Sequence, residues 1–168
     1  MATGSFTAFL DSDDYWDPEF LTELVQLLKA NSELIMAYAN GVKVGANGKE
    51  LGLRKNRIVL RTSIIPDILK IGRPWGTGGC LWVTEKIIDV QWLDAITWED
   101  YAFDMDAALA GNAIIGSAKV LVYYDSEGDD KLSNQNSEQE PIRKQPVLLY
   151  ISAKLSKTNW VNHSETRK

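Results

Sequence analysis

The sequence predicts a mixed α/β fold, a sheet flanked by helices, and three observations carry that prediction. A short apolar run, Phe6 to Leu10, is closed by Asp11-Ser12-Asp13-Asp14 and followed by a stripe with helical spacing, so strand, turn and helix follow one another. Two more apolar runs, Leu34–Ala39 and Ile114–Tyr124, carry strand-forming residues. Between them, Asp100 to Ala110 repeats its apolar residues at helical spacing.

Phe6 to Leu10 reads as a buried strand, because it is apolar and bounded by turn formers. Asp17 then Pro18 reads as helix cap and first helical residue. The helix beyond puts Phe20, Leu21, Leu24, Val25 and Leu28 on one face. Leu34–Ala39 is the second strand, and Val42–Val44 and Glu50–Leu53 flank the hairpin turn Ala46-Asn47-Gly48. Thr62 to Ile71 is expected as a short helix with Pro66 in or bending its first turn, followed by a loop, Gly72 to Gly79, and a strand, Leu81 to Val83. The 100–110 helix sets Tyr101, Met105, Ala108 and Leu109 on one stripe, with Gly111 at its C-terminal cap. Asp125 to Pro141 is polar, and Pro146 to Trp160 returns to an amphipathic helix, with Val147, Leu148, Ile151, Leu155 and Trp160 as its apolar stripe.

The acids at 11, 13 and 14 are the chemical centre of this pattern. They fall at a strand exit just before a helix, where open α/β sheets place ligands. Clustered carboxylates repel one another unless a cation neutralises them, and hard oxygen donors suit magnesium or manganese. A calcium EF-hand is excluded, because the fifth, sixth and twelfth loop positions are Tyr15, Trp16 and Thr22. Asp and Ser also favour turns for their own sake, which accounts for one or two of the four residues. Glu99-Asp100 forms a second acidic pair at the start of the 100–110 helix, where the dipole alone favours acids.

Ala2-Thr3-Gly4 followed by the 9–18 segment Phe-Leu-Asp-Ser-Asp-Asp-Tyr-Trp-Asp-Pro resembles the middle of a family 2 glycosyltransferase of the GT-A fold. Two later stretches agree in order and separation. Gly76-Thr77-Gly78-Gly79-Cys80-Leu81-Trp82-Val83 is similar to the family's Gly-rich acceptor-side segment, and Trp98-Glu99-Asp100-Tyr101 to its Glu-Asp motif; Leu121–Asp125 with Lys131-Leu132-Ser133 is a weaker echo. The resemblance covers about residues 2–135. It implies the C-terminal part of a GT-A (nucleotide-diphospho-sugar transferase, Rossmann-like) mixed sheet flanked by helices. It implies an inverting transfer of a sugar from a nucleotide-diphosphate donor to a saccharide or lipid-linked acceptor. Asp11 and Asp13 would be metal ligands for Mn2+ or Mg2+. Asp100, with Glu99, would be catalytic, Asp100 as the general base. Asp14 (as the acceptor that fixes the loop), Trp75 (as a sugar platform), Gly78, Gly79 and Trp98 are the expected substrate-binding residues.

The family's nucleotide-binding half, with its first strand and the residues that hold base and ribose, does not precede Ala2; Met1 falls where the family has an internal residue. The expected organisation is therefore a partial GT-A domain over 1–135 and a polar linker with a C-terminal amphipathic helix over 136–168. Transfer by the chain alone is expected to be weak or absent, since much catalytic advantage lies in orienting the donor. The alternative from another class is a non-enzymatic α/β remnant that self-associates through the surface left uncovered, as a homodimer or larger oligomer.

Composition fits this picture. With 168 residues, 45% hydrophobic and 24% charged, the chain can bury one core. A net charge of −5 argues against nucleic acid as partner. Cys80 is the only cysteine, flanked by Gly79 and Leu81, and reads as a buried, inert thiol. No leader pattern and no membrane-length apolar run is seen, so a cytoplasmic location with at most peripheral membrane contact is expected, and Asn162-His163-Ser164 carries no glycan there. His163 is the only histidine, which removes zinc sites built on histidine pairs and makes a Ser-His-Asp triad improbable; the third glycine of a dinucleotide fingerprint is missing, with Leu81 in its place. Among the tryptophans, Trp16, Trp82 and Trp92 are expected in the core.

Overall fold

A computed structural model describes residues 2–45, 48–53, 61–126 and 140–158. The chain divides into two units, Met1–Val90 with Asp106–Gly128, and Gln91–Met105 with Asp129–Lys168. The first unit holds a seven-stranded mixed sheet. Its strands are β1 (Phe6–Ala8), β2 (Tyr15–Trp16), β3 (Met36–Val44), β4 (Glu50–Leu53), β5 (Arg61–Ser63), β6 (Cys80–Val83) and β7 (Ala113–Asp125). They run in the order β1-β6-β3-β7-β2, with β4 beside β3 and β5 beside β7. Among the described residues only the β3–β7 pairing is parallel; the others are antiparallel.

β3 is the axis of the sheet. It has neighbours on both sides and is buried along most of its length, as a central strand of continuous apolar character should be. The sequence suggested two strands with a break at Asn40-Gly41, but one nine-residue strand runs through. The break is a bulge: the register against β7 shifts on both sides of Asn40. The Asn40 amide donates to Ser117 O and Ala118 O, both at 3.2 Å, and so occupies carbonyls of β7 where the register shifts. A Cβ on Gly41 would lie 2.1 Å from the Tyr124 ring, so glycine is what lets the two strands close. The 42–44/50–53 hairpin forms as expected, with Gly48 at φ 71° in its turn; Ala46 and Asn47 lie outside the described residues.

Helix α1 (Phe20–Lys29) covers the sheet with Phe20, Leu24 and Leu28. These pack with Ala37, Ala39, Leu81, Leu121 and Val122. Two expectations need correction here. Asp17 does not cap the helix; its carboxylate accepts from Glu19 N at 2.9 Å and its carbonyl from Phe20 N at 2.9 Å, closing a turn before the first helical residue. Leu21 is 49% exposed, because the apolar stripe is narrower than the sequence suggested.

Other boundaries also moved. β1 ends at Ala8 and is half-buried, since it pairs only with β6 among the described residues and so lies at the sheet's edge. Thr62 and Ser63 are not helical; they pair with Ile114 and Ala113, and the helix α2 is limited to Asp67–Ile71. Helix α3 (Glu99–Ala110) buries Ala102, Phe103, Asp104, Met105, Ala107 and Ala108, while Leu109 of the expected stripe is exposed. Trp82 is in the core; Trp16 is half-buried, and Trp92 is exposed with its ring stacked on Phe103 at 4.7 Å.

In the second unit, helix α4 spans Glu140–Leu155, beginning six residues before the expected start, with Pro146 inside it. Pro141 falls in its first turn, where a missing N–H costs nothing. Val147 and Ile151 are buried, but Leu148 is exposed, contrary to the expected stripe. Trp160 lies outside the described residues.

On the outer face of α1, Lys119 of β7 reaches Glu23 at 2.9 Å and Glu19 at 3.1 Å, and Ser117 Oγ donates to Glu23 at 2.8 Å. The hydrogen bonds from Lys119, then from Ser117, hold the Glu23 carboxyl below its ordinary value of 4.5. A lowered folded-state pKa contributes stability that is complete above the unfolded value and is lost as pH falls through the folded one. The chain is therefore expected to lose stability on acidification below the ordinary carboxylate range, and Glu23→Gln to flatten that part of the profile. Urea midpoints of both proteins across acid pH check this, and parallel profiles would remove Glu23 as a cause.

Candidate active site

The acid loop leaves β1 and returns as β2. The backbone N–H of Asp14 donates to Asp11 O at 3.1 Å, closing a tight turn that gathers the side chains. One carboxylate oxygen from each of Asp11, Asp13 and Asp14 lies within 4.8 Å of the others. Asp11 and Asp13 are exposed and Asp14 is half-buried. Asp14 Oδ1 accepts from Asp125 N at 3.1 Å, which ties the loop to the end of β7. This is the loop-fixing geometry the sequence suggested for Asp14.

The glycine segment arrives beside this loop from far along the chain. Thr77–Gly79 form a single 3-10 turn that runs into β6. Trp16, two residues beyond Asp14, donates its indole N–H to Gly78 O at 2.6 Å. A Cβ on Gly78 would stand 3.5 Å from Asp14 Oδ2 and 3.4 Å from Leu10 Cδ1. On Gly79 it would stand 2.9 Å from Tyr124 Oη and 3.3 Å from Ala39 O. Both glycines are therefore sites of close approach between segments.

Arg73 escaped the sequence reading. It is 3% exposed and its Nη1 donates to Thr77 Oγ1 at 3.1 Å, so it helps hold the turn that carries Gly78 and Gly79. A lone arginine between Gly72 and Pro74 in apolar surroundings was the available signal. Trp75, expected as a sugar platform, is 2% exposed and its ring tilts against Tyr38 at 5.3 Å; it packs in the interior. Cys80 is buried, with its thiol directed at Gly76 O at 3.2 Å, in keeping with an inert thiol.

In the second unit, Glu99 and Asp100 are half-buried in the first turn of α3. Asp100 Oδ1 accepts from Tyr101 N at 2.9 Å. Trp98 precedes them at φ 64°, and its carbonyl accepts from Tyr101 N and Ala102 N at 3.0 and 3.2 Å, which starts the helix. A bulky residue in the left-handed region is a strained choice, costing about 1–2 kcal/mol. Ring contacts offset that cost: Trp98 stacks on Tyr101 at 4.7 Å, and Lys144 Nζ stands 4.2 Å from its ring centroid. Strain of this kind gathers at functional sites.

Among solved structures, the chain is similar to Staphylococcus aureus TarS 1–349 in complex with UDP-GlcNAc, with a TM-score of 0.61 and 22% identity over 80% of this chain and 38% of that one. A second structure of TarS 1–349, and one in complex with UDP, give TM-scores of 0.55 and 0.56 at 20% identity, each over 99% of this chain and 52% of the other. The chain thus spans about half or less of the solved chains it matches, and the shared feature is the GT-A fold. Among curated proteins none matches. The sequence model of Glycosyl transferase family 2 matches residues 1–93, more than half of the 168, and covers the acid loop and the glycine turn described above. The chain belongs to glycosyl transferase family 2.

Proposed function

We propose that this chain carries the catalytic acids of a metal-dependent, inverting glycosyltransferase, which moves a sugar from a nucleotide-diphosphate donor to a hydroxyl of a saccharide or lipid-linked acceptor. The observation that carries the reading is the gathering of the Asp11, Asp13 and Asp14 carboxylates within 4.8 Å, with Gly78 close beside Asp14. Membership of the family and the likeness to chains solved with UDP and UDP-GlcNAc support the donor class.

The three acids fit a divalent cation by their chemistry: hard oxygen donors, two of them exposed, on a loop fixed at both ends. Asp11 and Asp13 would hold Mn2+ or Mg2+, and the ion would neutralise charge on the departing diphosphate. Asp14 keeps the loop in place through Asp125. Asp100 acts as general base: its carboxylate takes the proton of the acceptor hydroxyl while that oxygen forms a bond to the anomeric carbon and the bond to the diphosphate breaks on the opposite side. Glu99 shares the same helical turn, and Trp98, locked by Tyr101 and Lys144, fixes where that turn begins.

Manganese binding by the chain is expected to be weak, because much of the ion's shell belongs to the donor diphosphate. Asp13→Ala should reduce it by about tenfold or more, as befits the loss of one of two charged ligands. Titration calorimetry with both proteins checks this, and equal binding would remove the cation site. A second reading, a non-enzymatic unit that self-associates, draws support from β1, which has a partner on one side only among the described residues. Sedimentation velocity at several concentrations, together with nucleoside diphosphate release by a longer protein that contains these residues, separates the two readings: self-association without release supports the second, release supports the first.

A further inference from the structure

Helix α4 turns an uncharged face to solvent. Ile142, Leu149 and Leu148 are 70%, 63% and 49% exposed, and Pro146 and Ala153, also exposed, fall on the same arc at about 100° per residue. The other exposed residues of that arc are Pro141, Gln145 and Ser152, so no charge interrupts it. The helix buries Val147 and Ile151, which lie on its other side. The exposed apolar set is therefore additional to the residues that pack the helix, and surface patches of this kind mark contact sites. The charge of the segment itself is mostly of one sign. Arg143, Lys144, Lys154 and Lys157 lie along the segment 140–158, against Glu140 as its one acid, in a chain whose net charge is −5. Lys144 and Lys154 stand over the Trp98 and Tyr150 rings and bring their positive charge with them.

We propose that α4 is an interfacial helix that docks on an anionic lipid surface, with Ile142, Leu148 and Leu149 entering the boundary of headgroups and acyl chains and the flanking bases meeting lipid phosphates. The pattern of an apolar face bordered by Lys and Arg is what such helices need. With 16 residues the helix lies in the plane of the surface, and among the described residues no helix is long and apolar enough to cross a membrane. A second copy of the chain is the poorer occupant of this face. A two-fold contact would set the basic borders of two copies against each other.

The test is co-sedimentation of the full chain with vesicles of phosphatidylcholine alone and of equal parts phosphatidylcholine and phosphatidylglycerol. Binding is expected to the anionic vesicles, to weaken with salt, and to be slight on phosphatidylcholine. Ile142→Glu combined with Leu149→Glu should abolish it. Both side chains are exposed, so the fold should survive, which circular dichroism checks. Lys157→Gln alone should lower binding by about fivefold, the usual contribution of one basic residue near such a surface. Absence of binding to anionic vesicles, or binding unchanged in the double variant, would overturn the proposal. So would a dimer in sedimentation velocity that the double variant dissociates.

Discussion

Asp100→Asn is expected to lower sugar transfer by about a hundred- to ten-thousand-fold, the usual contribution of a positioned general base. The change keeps the shape of the side chain and its acceptor oxygen for Tyr101 N, so the start of α3 should be undisturbed. Donor binding should stay within about twofold, because the acids proposed to hold the cation are untouched. The readout is nucleoside diphosphate release together with donor affinity. If the 168 residues release too little to measure, the same comparison is made in a longer protein that contains them. Lost turnover with retained binding identifies the base. Full activity of Asp100→Asn would assign the proton transfer to another group, and Glu99→Gln would be the next variant to measure.

Phe20→Ala is expected to be the most destabilising of the single changes considered, at about 3–5 kcal/mol, the range for a large aromatic removed from a close-packed core. Phe20 is fully buried at the head of α1, and its ring stacks on Trp16 at 4.4 Å. Trp16 in turn donates to Gly78 O. The change therefore removes core volume and also loosens the link between the acid loop and the glycine turn. Urea unfolding measures the first effect. The second appears as weaker manganese binding in conditions where the protein is still folded. A loss below about 1 kcal/mol would mean that the site collapses around the gap, against the close packing seen around it.

The parts of the site legible in the sequence were those set by short-range chemistry. Asp11, Asp13 and Asp14 lie within four positions after an apolar run, so a strand exit was expected and found. The proximity of Gly78 to Asp14 had no local signal; it follows from Trp16 reaching across to the glycine turn, and only the family resemblance suggested that the two segments belong together. The errors have the same origin. Asn40-Gly41 interrupts the apolar run and left a gap between two expected strands, but β7 offers carbonyls to the Asn40 side chain and the Tyr124 ring lies against Gly41, so the strand continues. Thr62-Ser63 reads as the start of a helix, but the edge of β7 at Ala113 and Ile114 claims them. At Asp17 a side-chain turn replaced the expected cap, since the same carboxylate can serve either. Trp75 sits beside glycines, which suggested access, yet Tyr38 from β3 packs against it.

The parallel pairing of β3 with β7 also sets the order in which the protein can fold. Met36 pairs with Ile114 and Val44 with Asp125, so the central strand lacks one of its two neighbours until most of the chain has been synthesised. Contacts of such long sequence separation incur loop-closure entropy before they contribute stability, which slows folding. During that interval β3 is an apolar strand with an open edge, and its pairings with β4 and β6 can form first. Agents that bind exposed strand edges, and mutations that delay β7, should therefore act on the yield of folded protein far more than on its final stability.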